Sequence, residues 1–181
     1  AMIQDVGHLN QAKTVDIYTD QYLNVTNIYA VDLLHQQGVK RVTLSPELSH
    51  ERMLRMIDLF KDTFGYSPRL ELQVYGRHDL MISKYCPIAK TFKTNQDCHL
   101  CEKNQYYLED RLKQKYPLVH DGNCHLRILH AKTLNLLEYA NDLQQHQVTC
   151  RIHLTTEDEK ETRNILSSLT QHKLYPYQSK T

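Results

Sequence analysis

Between residues 15 and 76 the apolar pattern switches repeatedly between a strand-like and a helix-like period, and this alternation restricts the fold more than any other feature. Val15-Asp16-Ile17-Tyr18-Thr19 reads as a short strand, and Ile28, Val31 and Leu34 then recur at helical spacing until Gly38, a helix stop. Arg41–Ser45 is the next strand, closed by Pro46. Ser49 can cap a helix carrying Met53, Leu54, Met56, Ile57 and Phe60 on one side, with Gly65 at its end. Leu70–Tyr75 is a third strand, broken by Gly76. Such a succession predicts parallel βα units, because a helix crossing returns the chain to the start of the next parallel strand.

After Gly76 the rhythm stops. Residues 77–123 are polar and cysteine-bearing, far longer than the usual connection of about 4–6 residues, and they read as an irregular cysteine-rich insertion. The pattern resumes with a strand at His125–His130, a helix over Thr133–Gln145, a strand at Val148–Leu154 and a last helix, for which Thr156 and Glu159 form a capping box. The expected fold is therefore α/β: a single domain over 1–181, of parallel βα units forming part of a TIM-type (β/α) barrel. With about half the roughly eight strands a closed barrel needs, it should be open. Its strand edges should be covered either by the insertion or by a second copy, the latter giving a homodimer.

The formal net charge of +1 gives no global electrostatic case for nucleic acid or membrane, so any such surface would have to be a local patch. No apolar leader and no run long enough to span a bilayer are found, so the reading is cytoplasmic with no membrane partner. Five cysteines, an odd number, argue against a disulfide framework. Cys98-His99-Leu100-Cys101 is a CxxC, with Cys86 and Cys124 on either side. A long loop with few apolar residues cannot order itself by burial, whereas four thiolates on one centre can hold it. Four sulfurs suit Zn2+ or an iron–sulfur cluster such as 4Fe-4S. The other reading is four reduced, unrelated cysteines. Cys150, inside an apolar strand, is taken as a core residue.

In parallel α/β folds chemistry gathers where the strands end. Here those ends supply Asp20 and Gln21, then Pro46 and Glu47, then Arg77, His78 and Asp79. Arg77 is assigned to holding a carboxylate or phosphate of the substrate, since its planar fork binds such groups bidentately. His78 is the candidate acid–base group, with Glu47 and Glu71 as further catalytic carboxylates. Asn24 and Asn27 should border the same cleft as binding residues. The rival reading is a structural Arg77–Glu47 ion pair. No GxSxG or HExxH is present, and no Cys–His spacing demands a nucleophile and base.

Glu71-Leu72-Gln73-Val74-Tyr75-Gly76, followed ten residues on by Cys86 and then Ile88, resembles the signature of the collagenase-like peptidases of unknown catalytic type, peptidase family U, number thirty-two. Residues 21–27 and 44–48 look like the family's two barrel segments before that signature. The chain resembles the second half of the family's catalytic barrel. Asp79 stands where the signature has a second cysteine, and Arg77, His78 and Lys84 replace smaller residues. The resemblance implies a protease or peptidase acting on peptide. The alternative it implies is hydroxylation of a tRNA or rRNA base, since relatives of that kind carry an iron–sulfur cluster on four cysteines and, in the tRNA uridine case, use prephenate as oxygen source. A binding scaffold without activity is the third reading.

Overall fold

The computed structural model describes residues 1–94, 99–120 and 125–170. The strands are β1 (Met2–Ile3), β2 (Tyr18–Thr19), β3 (Val42–Thr43), β4 (Leu70–Gly76), β5 (Asp79–Ser83), β6 (Tyr106–Glu109), β7 (Lys115–His120), β8 (Leu126–Leu129), β9 (Leu134–Asn135) and β10 (Val148–His153). The α-helices are α1 (Ile28–Gln36), α2 (His50–Phe64), α3 (Pro87–Thr91), α4 (Leu100–Lys103), α5 (Ala140–Gln145) and α6 (Glu159–Thr170). The chain divides into two compact units, Ala1–Val74 with Leu136–Ile152, and Tyr75–Asn135 with His153–Thr181.

Unit one holds the βα succession. Asn27 caps α1 through Oδ1, which accepts from Ala30 N at 2.9 Å, and Ile28, Val31 and Leu34 are buried. Ser49 caps α2, and Gly65, at φ 73°, ends it with its N–H on the Lys61 carbonyl. The α2 face of Met53, Met56, Ile57 and Phe60 is buried, each such side chain contributing roughly 1.5–3 kcal/mol over exposure. β1 pairs parallel with β2, and β3 parallel with β4 through Val42↔Leu70 and Thr43↔Glu71. β4 lies between β3 and β10. Every residue of β4 is buried, as expected of a strand covered on both faces. Its alternation puts Leu70, Leu72 and Val74 on one face and Glu71, Gln73 and Tyr75 on the other.

This is a mixed α/β fold with parallel strands, and among the described residues no sheet closes into a barrel. Unit two departs further from expectation. The described residues of 77–123 are not irregular: they carry β5, β6 and β7 with α3 and α4, in a sheet ordered β5-β8-β7-β6 whose pairs are all antiparallel. The strand at His125–His130 is found as β8, but it pairs with β5 and β7 rather than extending a parallel series. The β6–β7 hairpin turns on Asp110, whose Oδ1 accepts from Leu112 N at 2.8 Å and Gln114 N at 2.9 Å. The helix expected over 133–145 is shorter: β9, then a 3-10 turn at Leu137–Tyr139, then α5. The last helix begins later than its expected cap. Asp158 and Glu161 exchange the capping-box bonds, Glu161 N to Asp158 Oδ1 at 2.7 Å and Asp158 N to Glu161 Oε2 at 3.1 Å.

Candidate functional site

The polar face of β4 meets a buried cation that sequence reasoning missed. Arg151, on β10, has a side chain 15% exposed and binds Glu71 Oε1, Asp20 Oδ1 at 2.8 Å and Thr43 Oγ1 at 2.9 Å. Thr43 Oγ1 in turn donates to the Thr19 carbonyl at 2.6 Å, and Arg41 Nη1 stands 3.7 Å from Glu71 Oε2. Two carboxylates and two guanidiniums thus form a closed network in unit one. Glu71 is fully engaged there, so its carboxylate is tied to structure before it meets any substrate. The signal was present in the sequence, since a lone arginine inside an apolar strand must find a buried partner. Its identity was not, because Asp20 and Glu71 are distant along the chain.

Gly76 ends β4 at φ 125°, and a Cβ there would overlap the carbonyl of His153. Only glycine allows the β10 backbone that close. Arg77 follows, but its fork is occupied: Nη1 donates to the carbonyls of Ala131 and of His130, the latter at 2.8 Å, and Nε reaches Thr156 Oγ1 at 3.4 Å. Neither a substrate anion nor Glu47 is needed to explain its position. His78 is half-buried, and its Nδ1 is buried with no hydrogen-bond partner. Burial holds its pKa below the ordinary histidine value, and nearby His130 and His153 push it the same way. A neutral imidazole at neutral pH suits a proton acceptor. Asp79, 3% exposed, makes a two-bonded pair with Arg127, Nε to Oδ1 at 3.0 Å and Nη2 to Oδ2 at 2.6 Å. This charged clasp joins β5 to β8 where the family signature has a cysteine.

Of the four cysteines expected to share a centre, Cys98 and Cys124 lie outside the described residues. Cys86 and Cys101 are half-buried, and both pack on one apolar cluster of Ile88, Leu118 and Leu126, beside Leu100, Tyr106 and Ile128. Cys86 Sγ accepts from Ala89 N at 3.4 Å, which makes Cys86 the N-cap of α3. Among the described residues no three His, Cys, Asp or Glu side chains gather as a metal site. Cys101 also borders a pocket of about 250 Å³ with Asn104, Tyr106, Tyr107, His120 and Thr155, whose Oγ1 is buried without a partner. Cys150, expected in the core, is only half-buried; burial pushes its thiol up, and its Sγ lies 3.8 Å from the Ala140 carbonyl.

The remaining named residues sit in unit one. Asn27 is the α1 cap, and its side-chain oxygen is engaged by Ala30 N. Asn24 takes a left-handed conformation at φ 49°, which asparagine tolerates, at the end of the 3-10 turn Gln21–Leu23. Glu47 is exposed, with its N–H bonded to Ser45 Oγ at 3.2 Å. Thus Glu47 and Glu71 belong to unit one and His78 to unit two. Among the described residues no helix is long and apolar enough to cross a membrane.

No curated protein and no solved structure matches the chain. The sequence model of Peptidase family U32 does, over residues 1–168. That match spans β1 to α6, taking in the Glu71–Gly76 strand, the Cys86 turn and the CxxC, and the chain belongs to peptidase family U32.

Proposed function

We propose that this chain works as part of a U32 enzyme that hydroxylates an RNA base at a centre held by Cys86, Cys98, Cys101 and Cys124. The observation that carries this reading is the convergence of Cys86 and Cys101 on one apolar cluster in unit two. Two half-buried thiols against aliphatic side chains suit soft-ligand chemistry and a site shielded from water. An iron–sulfur cluster on those thiolates would supply one-electron redox chemistry, whereas Zn2+ on four sulfurs would be structural. Around it, Ala89 N–H steadies the Cys86 sulfur and Ile88, Leu118 and Leu126 exclude solvent. His78 is available to accept a proton in its neutral form. The pocket beside Cys101, lined by no Asp, Glu, Lys or Arg and with Tyr106 and Tyr107 on its wall, could seat a flat, hydrogen-bonding ring.

Peptide hydrolysis, which the family's title suggests, has less support among these residues. Glu71 is held by Arg151 within unit one, and the fork of Arg77 is held by backbone carbonyls within unit two. Purification under argon followed by iron, sulfide and zinc analysis separates the alternatives. Iron with sulfide, lost in Cys101→Ser together with base hydroxylation of tRNA by mass spectrometry, is the expected result. Zinc alone, or cleavage of denatured collagen that survives Cys101→Ser, would overturn it.

A further inference from the structure

The β6–β7 hairpin carries a face that starts at the pocket beside Cys101 and runs toward the turn. Tyr107 pairs with Pro117, and Glu109 with Lys115. Side chains directly opposite in an antiparallel pair share a face, as do residues two apart along a strand, so these four stand together. Tyr107 and Pro117 line the pocket, and Lys115 lies two residues from Pro117, about 7 Å along β7. Tyr107 is 44% exposed, and its hydroxyl donates to Gln105 Oε1 at 2.9 Å, which steadies the ring. The turn then presents Arg111, Leu112 and Lys113, all exposed. The carboxylates of the hairpin are occupied. Asp110 accepts from Leu112 N, Gln114 N and, at 3.1 Å, the Tyr116 hydroxyl, while Glu109 holds Lys113 at 2.9 Å. Arg111 and Lys115 are exposed, and among the described residues neither forms an ion pair.

We propose that the hairpin is the track on which a single RNA strand lies when one of its bases enters the pocket, with Tyr107 stacking on a base and Lys115 and Arg111 holding the flanking phosphates. This assignment rests on the RNA reading above and adds the residues that bind the strand outside the pocket. Proteins hold single strands by pairing an aromatic platform with cations that follow the backbone. Here ring and lysine are neighbours on one face, and the ring also borders the space a base would fill. From Glu109 to Lys115 three cations stand against two carboxylates, and the two cations outside an ion pair supply the complementarity to phosphate. An anionic bilayer is the rival for the same cations and for Leu112, which is 80% exposed. The stacking ring at the pocket favours a base.

The test is fluorescence anisotropy of the 181-residue chain with a labelled single-stranded RNA of about 12 nucleotides, across a salt series. Lys115→Gln and Arg111→Gln should each weaken binding several-fold. Each should also lower the slope of log K against log salt by about 0.7, as expected for one phosphate contact on a single strand. Tyr107→Ala should weaken binding about fivefold or more, whereas Tyr107→Phe keeps the ring and should bind nearly as tightly as the parent. Lys61→Gln, which removes an exposed cation of α2 in unit one, should change neither affinity nor slope. All these sites are exposed, and circular dichroism melts check that each variant folds. A parent chain that does not bind the RNA would overturn the proposal. So would binding that ignores Lys115→Gln and Arg111→Gln, or that falls with them but not with Tyr107→Ala, which leaves charge alone. Displacement of the RNA by phosphatidylglycerol vesicles, which Lys115→Gln then also fails to bind, would assign the face to a bilayer. Hairpin-dependent binding by a chain with no iron and no base hydroxylation would keep the track and sink the hydroxylase. Hydroxylation untouched by both hairpin variants would sink the track alone.

Discussion

Unit one and unit two solve the problem of order differently. Unit one buries Ile17, Val31, Val39, Val42, Leu44, Met53, Ile57, Phe60, Leu70 and Val74 almost completely, and closes its buried charges on one another through Arg151. Unit two builds a smaller cluster on Ile88, Leu118 and Leu126 and leaves Leu80, Met81, Ile82, Tyr85, Phe92 and Leu112 more than half exposed. A small unit with a thin core needs something besides burial. Cys86 and Cys101 pack on that cluster. The comparison teaches that buried charges serve stability in both units, as one closed network around Arg151 in unit one and as the Asp79–Arg127 clasp between β5 and β8 in unit two.

The largest expected effect tests the closed network. Arg151→Ala leaves the Asp20 and Glu71 carboxylates buried without their shared cation, and such a break costs about 3–5 kcal/mol. In thermal unfolding that is on the order of 10 °C for a chain of this size. Adding Glu71→Gln should recover part of the loss, because the pair is coupled; strictly additive losses would show that the network contributes less than its geometry suggests.

Next comes Gly76→Ala, where a Cβ meets the His153 carbonyl and the φ of 125° is unfavourable for an L side chain. A loss of about 2–4 kcal/mol is expected in urea unfolding. Hydrogen exchange should show it first at β9, which pairs with Tyr75 and Gly76. An unchanged midpoint would mean that the backbone approach is not needed.

Acid sharpens the contrast by a smaller amount. His78 in unit two and His35 in unit one both have pKa values lowered chiefly by burial, with His130 and His153 adding to it at His78 and Arg69 at His35. The unfolded chain therefore binds a proton near the ordinary value of about 6.5 that the folded chain refuses. Stability is full above that pH and falls as pH drops through it toward the folded values. His78→Gln should flatten this decline in unit two, followed by exchange at β8 amides, while leaving the part due to His35. A decline that steepens, or is untouched, would contradict the assignment.

The smallest expected effect separates a helix cap from a binding residue. Asn27→Ala removes the acceptor for Ala30 N and should cost about 1 kcal/mol, whereas Asn27→Ser or Asn27→Asp should restore it. If activity falls in Asn27→Asp with stability intact, the residue touches substrate after all.

Local structure in unit one was legible because its causes are local. Ser49 and Gly65 bracket α2 through bonds within a turn of the helix, and the spacing of Met53, Met56, Ile57 and Phe60 is a property of the sequence itself. The same locality misplaced the last cap by two residues, since Thr156 and Asp158 offer similar signals and the contact with Arg77 helps to distinguish them. In unit two the strand at 125–130 was legible, but its direction was not. Short strands alternate identically whether their neighbours run parallel or antiparallel, so pairing is decided by partners far along the chain.

By itself the sequence determined the alternation of elements in unit one, their stops, the signature strand Glu71–Gly76 and membership of its family. Tertiary structure alone decided that Glu71 is bound by Arg151, that Arg77 holds carbonyls of its own unit, and that Asp79 clasps Arg127. The physical reason is reach. Propensity, capping and periodicity act over a few residues, whereas a buried charge is neutralised by whatever the fold brings within about 3 Å of it, however distant in the chain.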